Sequence, residues 1–213
     1  MGKVRTGISV SLDGFVAGPN QSLEHPLGEG GMQLHEWVFP LKAFREAHGE
    51  IGGETNSSNE VLTDVQSNIG SYIMGRNMFG GYPGVWKRDP EWKGWWGDTP
   101  PFRCPVFVLT NFPREPLLCE GDTTFTFVTE GSATALKQAQ SAAGLKDVFI
   151  SGGAETVNQY LRAGVVDQLD LHLVPILLGQ GERLFHNVGR SLHGLKLERA
   201  IHGDGVVHLR FVR

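Results

Sequence analysis

Hydrophobic positions along the chain alternate between two periods. From Lys3 to Leu12 (KVRTGISVSL), Val4, Ile8, Val10 and Leu12 share one parity, which predicts a first strand closed by the Asp13-Gly14 turn. A glycine-rich stretch then runs to Gly31, and beyond it Leu34, Trp37, Val38, Leu41 and Phe44 recur at spacings of three and four. That spacing predicts an amphipathic helix, kinked or restarted at Pro40. Glu50 to Thr55 reads as a second loop. Ser57-Ser58-Asn59-Glu60 has the form of a capping box, predicting a helix to about Ile69.

Beyond Ile69, strand and helix patterns alternate. Ser71 to Met74 predicts a short buried strand, and Gly75-Arg76-Asn77-Met78-Phe79 opens a helical turn. Cys104 to Thr110 and Thr123 to Val128 are further strands, and Ser132 is placed to cap a helix over Ala133 to Ala143. Asp147 to Ser151 is a strand, Gly152-Gly153 a turn, and Ala154 to Ala163 a helix that Gly164 ends in a left-handed cap. Val166 to Val174 alternates, and Lys196 to Ile201 and Val206 to Val212 are two final β candidates. The order predicts an α/β fold with an antiparallel hairpin added at the sheet edge, all within one domain, residues 1–213.

Composition narrows the setting. The 29 glycines among 213 residues are about twice the usual share of roughly 7%, without a G-X-Y period. They point to tight βα connections or to close backbone approach by a ligand. Net charge is -4, and no Lys/Arg run marks a nucleic-acid footprint. The longest plain apolar run, Leu173 to Leu178, contains Pro175 and falls far short of the roughly 20 residues that span a bilayer. Cys104 and Cys119 are spaced as free thiols, and with no signal peptide ahead of them the expected location is the cytoplasm.

Several chemistries lose their signals. The chain has no G-x-S-x-G elbow, no Walker A motif and no G-x-G-x-x-G, and its eight histidines lack ligand spacing, so no metal site is expected. What remains is a repeated construction of buried strand, glycine and helix N-terminus, at Tyr72 to Arg76 and again at Val148 to Ala154. In an open parallel sheet such junctions bind anions, because unpaired N–H groups and the helix dipole point at the ligand. Two of them can hold a dinucleotide, and Arg76 offers a planar fork for a terminal phosphate. Tight βα packing accounts equally well for these glycines.

Four segments in order carry a family resemblance: Val10 to Gly18 (VSLDGFVAG), Ile73 to Phe79 (IMGRNMF), Ile150 to Ala154 (ISGGA) and Asp167 to Pro175 (DQLDLHLVP). Together they resemble the dihydrofolate-reductase-like superfamily, and more closely the family named for the reductase domain of the bacterial riboflavin-pathway deaminase-reductase. The resemblance implies a three-layer fold with a mixed, mainly parallel eight-stranded sheet, a homodimer, and NADP as cofactor. It places Gly75, Arg76 and Asn77 beside cofactor phosphate, Thr110 and Asn111 towards the adenosine 2′-phosphate, and Val16 and Ala17 against the nicotinamide. Gly152 and Gly153, often joined by a cis peptide in this superfamily, lead with Ala154 and Glu155 past the nicotinamide and pyrophosphate, and Thr129 and Glu130 border the cofactor.

The resemblance implies an NADPH-dependent oxidoreductase that passes hydride to a small pteridine-, flavin- or pyrimidine-like heterocycle. Alternatives are the 5-amino-6-(5-phosphoribosylamino)uracil reductase step of riboflavin biosynthesis itself, and a non-catalytic nucleotide-binding module. Asp13 and Glu36 are the candidate proton donors, although Asp-Gly after a strand is also a common turn. The chain departs from dihydrofolate reductases, which anchor the pterin by a Trp and then an acidic residue on the first helix: here that region is the long insertion from Pro19 to Gly53, with His35-Glu36-Trp37 its nearest polar and aromatic cluster, and the helical spacing of Trp37 fits a core residue. Trp86, Trp92, Trp95 and Trp96 could stack on a flat heterocycle, but pinning of their loop to the body or to a neighbouring subunit is the preferred reading.

Overall fold

The computed structural model describes residues 1–81, 84–86, 90–190 and 192–213. Its first strand, β1 (Val4–Ser11), is buried along nearly its whole length rather than on one parity. Position explains the difference. β1 lies inside the sheet, parallel to β7 (Asp147–Gly152) on one side and to β8 (Gln168–Val174) on the other, and a strand covered on both faces loses its polar side. Leu12, counted with the apolar parity, is exposed just past the strand end.

Beyond β7 the sheet continues in parallel through β3 (Ile69–Gly75), β4 (Pro105–Leu109) and β6 (Thr124–Val128). Beyond β8 it reverses. β11 (Val206–Val212) pairs antiparallel with β8, and β10 (Lys196–Gly203) closes that edge. The predicted hairpin is therefore present. Among the described residues the sheet has nine strands, ordered β10-β11-β8-β1-β7-β3-β4-β6-β5, where the resemblance implied eight; the addition is the two-residue β5 (Leu117–Leu118). A second small sheet pairs β2 (Phe15–Ala17) with β9 (Glu182–Arg183). These short strands lie below the length at which period-two alternation can be read.

Helices cover both faces. Val148 and Ile150 pack with Val157 and Tyr160 of α5 (Ala154–Arg162) and with Ala135, Ala139 and Ala143 of α4 (Ser132–Ala143). Phe149, turned to the opposite face by strand alternation, meets Val61 and Val65 of α2 (Ser57–Gln66). The alanine stripe lets α4 lie close to β3, where the Ser71 hydroxyl donates to the Ala139 carbonyl at 2.9 Å. A Cβ at Gly70 would come within 2.9 Å of Ala143.

Local predictions differ in three places. The expected helix through Leu34 and Phe44 is broken into a 3-10 turn, Gly31–His35, and a short α1 (Lys42–Ala47), because Pro40 interrupts the ladder between them. The capping box is not made. Asn56 accepts from the Asn59 N–H and caps α2, while Ser57 donates to the His202 carbonyl at 3.0 Å, and the helix stops at Gln66, where Arg5 donates to the Asp64 and Val65 carbonyls. Ser132 begins α4 without capping it, the preceding Gly131 holding the cap position at φ 92°. Gly164 adopts the expected left-handed conformation.

A polar network ties α2 to the hairpin edge. Arg210 on β11 donates through Nε to Asp170 of β8 at 2.5 Å and through NH1 to Asp64 of α2 at 2.5 Å, and Arg199 reaches the same Asp64 carboxylate. Gln168 also donates to Asp170, at 2.8 Å. Beside it the rings of His172 and His208 share a hydrogen bond at 2.8 Å, His208 contacts Ser58 at 3.0 Å, and Trp37 lies over both rings.

Asp170→Ala takes from the buried Arg210 one of its two carboxylates, with Asp64 still held, and losing a buried hydrogen bond to a charged group costs about 1.5–3 kcal/mol. Urea unfolding should show a loss of that size, and a change under 1 kcal/mol would remove Asp170 from the stabilising network. The histidine pair adds a pH dependence. Burial pushes both imidazoles below their ordinary value, Arg210 and His35 adding to the effect on His172 and Arg199 to that on His208, with Asp170 opposing it for His208. The unfolded chain therefore takes up protons near pH 6.5 that the folded chain refuses. Stability should be intact above about pH 6.5 and fall by about 2 kcal/mol per ring between pH 7 and 5; a flat urea midpoint across that range would show that the pair protonates without cost.

Candidate functional site

β3, β4, β6 and β7 end together, and the chain leaves each of these four strands into a cleft of about 670 Å³. From β3 it turns through Gly75 into α3 (Arg76–Phe79). A Cβ on Gly75 would stand 2.4 Å from the Thr156 hydroxyl, so this glycine serves close packing of β3 against α5. At the β7 to α5 junction the opposite holds. Gly152 has φ 136°, the Gly152-Gly153 peptide is cis as the resemblance implied, and a Cβ on Gly153 would meet nothing within 4 Å. Here the backbone lies bare to the cleft at the N-terminus of α5, with Ala154 and Glu155 opening that helix.

The remaining walls come from other strand ends. β4 delivers Thr110 and Asn111, the Thr110 hydroxyl accepting from the Phe112 N–H at 3.1 Å while Asn111 is exposed. β6 delivers Thr129, followed by Gly131 and Ser132 at the start of α4. Val16 and Ala17 of β2, with Glu182 of β9, form the facing wall. Of the residues that the resemblance assigned to a cofactor, Val16, Ala17, Gly75, Arg76, Asn77, Thr110, Asn111, Thr129, Gly152, Gly153, Ala154 and Glu155 line this one cleft. Glu130 does not; its carboxylate accepts from the Thr129 N–H at 3.0 Å. A neighbouring cavity of about 460 Å³ between Gln21 to Glu24 and Gly80 to Gly81 shares Arg76, Asn77 and Trp95 with it.

Arg76 is partly engaged by the protein. Its guanidinium lies 3.4 Å from the Trp86 ring centre and donates to the Gly80 carbonyl. Three tryptophans pin their segment to the body. Trp86 Nε1 donates to the Phe112 carbonyl at 2.8 Å, Trp92 Nε1 donates to the Phe79 carbonyl at 3.1 Å, and Trp96 packs on Phe102 and Phe125. Trp95 and Trp96 also line the cleft, so pinning and lining coexist. Residues 87–89 of this stretch lie outside the described residues.

The two candidate proton donors fall outside the cleft lining. Asp13 accepts from the Ser11 hydroxyl at 2.5 Å, the Gly179 N–H at 2.6 Å and the Leu178 N–H at 3.2 Å. Those bonds, led by that from Ser11, pull its pKa down to about 2, so it is a committed anion tying the exit of β1 to the 178–179 turn. Glu36 is exposed. The residue beside it, His35, lines the cleft instead. Glu36 was singled out as the acid of the His35-Glu36-Trp37 cluster, and the turn that ends at His35 brings the histidine to the cleft in its place.

Mixed sheet, helices on both faces and a cleft across the carboxyl ends of parallel strands define a dihydrofolate-reductase-like α/β protein. The pattern of the RibD C-terminal domain matches residues 2–209, and the chain belongs to that family. It is 29% identical over 207 residues to the uncharacterized protein YwjB of Bacillus subtilis (strain 168), covering 97% of this chain and 95% of that one. Among solved structures it is similar to a Shewanella sp. PV-4 protein assigned provisionally to riboflavin biosynthesis, with TM-score 0.65, 21% identity and coverage of 99% and 98%. A Thermotoga maritima diaminohydroxyphosphoribosylaminopyrimidine deaminase/5-amino-6-(5-phosphoribosylamino)uracil reductase aligns with TM-score 0.56 and 12% identity, over 99% of this chain and 56% of that one. Among the described residues no helix is long and apolar enough to cross a membrane.

Asp13→Ala should free the 178–179 turn, raising amide hydrogen exchange at Leu178 and Gly179 while the β7 and β8 amides stay protected. Because folding lowers this pKa, the contribution of the wild-type anion is present above about pH 4 and is lost as pH falls through about 2. Unchanged exchange at those two amides would refute the tether.

Proposed function

We propose that the chain is an NADPH-dependent reductase of riboflavin-type chemistry, acting on a pyrimidine-class heterocycle. One observation carries the reading: residues drawn from β2, β3, β4, β6 and β7 and from α3, α4 and α5 converge on a single cleft that the Gly152-Gly153 backbone lines, open at Gly153. Membership of the RibD C-terminal domain family supports it, as does the reductase named in the Thermotoga relative.

The residues present fit a dinucleotide phosphate. No side chain stands over Gly153, so a pyrophosphate can approach the backbone N–H groups that begin α5, and Gly131 and Ser132 present a second helix start on the same cleft. Arg76, Thr110 and Asn111 are the cleft-lining groups whose chemistry suits a 2′-phosphate. Such a cofactor, when bound, supplies hydride for a C=N or C=O bond. The chain's own part is orientation and exclusion of water: Val16 and Ala17 form an apolar wall, and Trp95 and Trp96 add aromatic lining.

Titration of the protein with NADPH, read by nicotinamide fluorescence, tests the reading. Wild type should bind at micromolar cofactor. Gly153→Val, which fills the open side of the junction, should weaken binding by about tenfold or more, equivalent to about 1.4 kcal/mol, with a melting temperature within a few degrees of wild type. No binding at millimolar NADPH would overturn the function, and equal binding by the variant would overturn the place given to Gly153.

A further inference from the structure

Thr156, the third residue of α5, stands where the two glycine junctions meet. A Cβ at Gly75 would find the Thr156 hydroxyl at 2.4 Å, the Gly152 carbonyl oxygen at 3.6 Å and the Gly153 nitrogen at 3.7 Å, so the hydroxyl lies between the end of β3 and the Gly152-Gly153 peptide. The residue is 6% exposed and opens onto the cleft. Among the described residues no protein group hydrogen-bonds its hydroxyl, and Oγ1 is not sealed off, since the enclosed atoms left without a partner belong to other residues. The other buried Ser and Thr hydroxyls of the described residues all have partners, Thr6 on the Ile150 carbonyl and Ser71 on the Ala139 carbonyl among them. A nearly buried hydroxyl without a partner costs free energy until a ligand supplies one.

The surroundings limit what that ligand can be. Val157 donates along the helix to the Gly153 carbonyl at 3.1 Å, and the N–H groups of Ala154, Glu155 and Thr156 stand ahead of it at the positive end of the α5 dipole. Glu155, the acidic side chain of this turn, is committed to Arg162. A hydroxyl beside such amides donates to an anionic oxygen. The geometry points to Thr156 as the side chain that completes the diphosphate site, its Oγ1 donating to an anionic oxygen of the dinucleotide's bridging diphosphate beside the amides that begin α5. The inference rests on the reductase reading above and adds to it a side-chain donor in a place so far given to backbone alone.

The test compares two variants of the full chain. Thr156→Val keeps the branched shape against Gly75 and removes the hydroxyl, and Thr156→Ser keeps the hydroxyl and removes the methyl. NADPH affinity is read by nicotinamide fluorescence, and bound NADP⁺ is followed by ³¹P NMR at saturation. Thr156→Val should bind NADPH about tenfold more weakly or worse, with a melting temperature within a few degrees of wild type, and Thr156→Ser should stay within about threefold of wild type. Between wild type and Thr156→Val the diphosphate resonances of bound NADP⁺ should move while the 2′-phosphate resonance stays in place. Equal affinity in Thr156→Val, equal weakening in both variants, or unmoved diphosphate resonances would overturn the role of the hydroxyl and leave the reductase reading intact. Wild type that does not bind NADPH would overturn the reductase reading, and the inference with it.

Discussion

Everything at the cleft depends on one constraint, the shared direction of β8, β1, β7, β3, β4 and β6. Parallel pairing sends the carboxyl end of each strand to the same edge, so every connection begins there, and the helices after β3, β6 and β7 start within a few residues of it. For β3 and β7 there is no loop to spare, since α3 and α5 begin directly at the strand ends. Glycine at Gly75 lets Thr156 of α5 touch the end of β3. That contact sets how closely the two junctions stand, and the bare Gly152-Gly153 backbone then becomes the floor between them.

The opposite half of the sheet supplies rigidity. β8 is held to β11 by the ladder and by Arg210 on Asp170, and Arg210 extends the tie to Asp64 on α2. The same β1 that pairs with β8 ends at Ser11 and Asp13, whose carboxylate holds the 178–179 turn. β9 follows that turn and pairs with β2, which carries Val16 and Ala17 into the cleft. The facing wall is therefore positioned by a chain of bonds that begins in the buried salt-bridge network. Asp13 acts through this chain, and its three hydrogen bonds explain why a carboxylate so near the cleft is unsuited to carry a proton.

Much of this was legible in the sequence, for reasons that particular residues illustrate. Strands such as β7 announced themselves because Val148, Phe149 and Ile150 are all buried, and α5 because Val157, Tyr160 and Leu161 fall on one face. The glycine junctions were legible because few other uses exist for glycine between a buried strand and a helix start. What could not be read were choices made by tertiary partners. Ser57 looked like the cap of α2, yet the His202 carbonyl, far along the chain, takes its hydroxyl and leaves the cap to Asn56. Whether Gly75 packed or bound was likewise decided by Thr156, which no local pattern contains.

The two sides of the cleft differ in character, and the difference constrains any ligand. Along one side stand the starts of α4 and α5, whose unpaired N–H groups and dipoles favour negative charge. Along the other stand β2, apolar at Val16 and Ala17, and the uncharged ring of His35. Reversing a molecule with one anionic and one uncharged end would place its charge against the apolar wall, away from the helix starts, and its ring against bare peptide. Desolvating an anion without a partner outweighs the modest gain of any single hydrogen bond. Orientation in this cleft is thus set by backbone dipoles at the helix starts and by a wall that is apolar at Val16 and Ala17 and acidic at Glu182, where an anion is disfavoured.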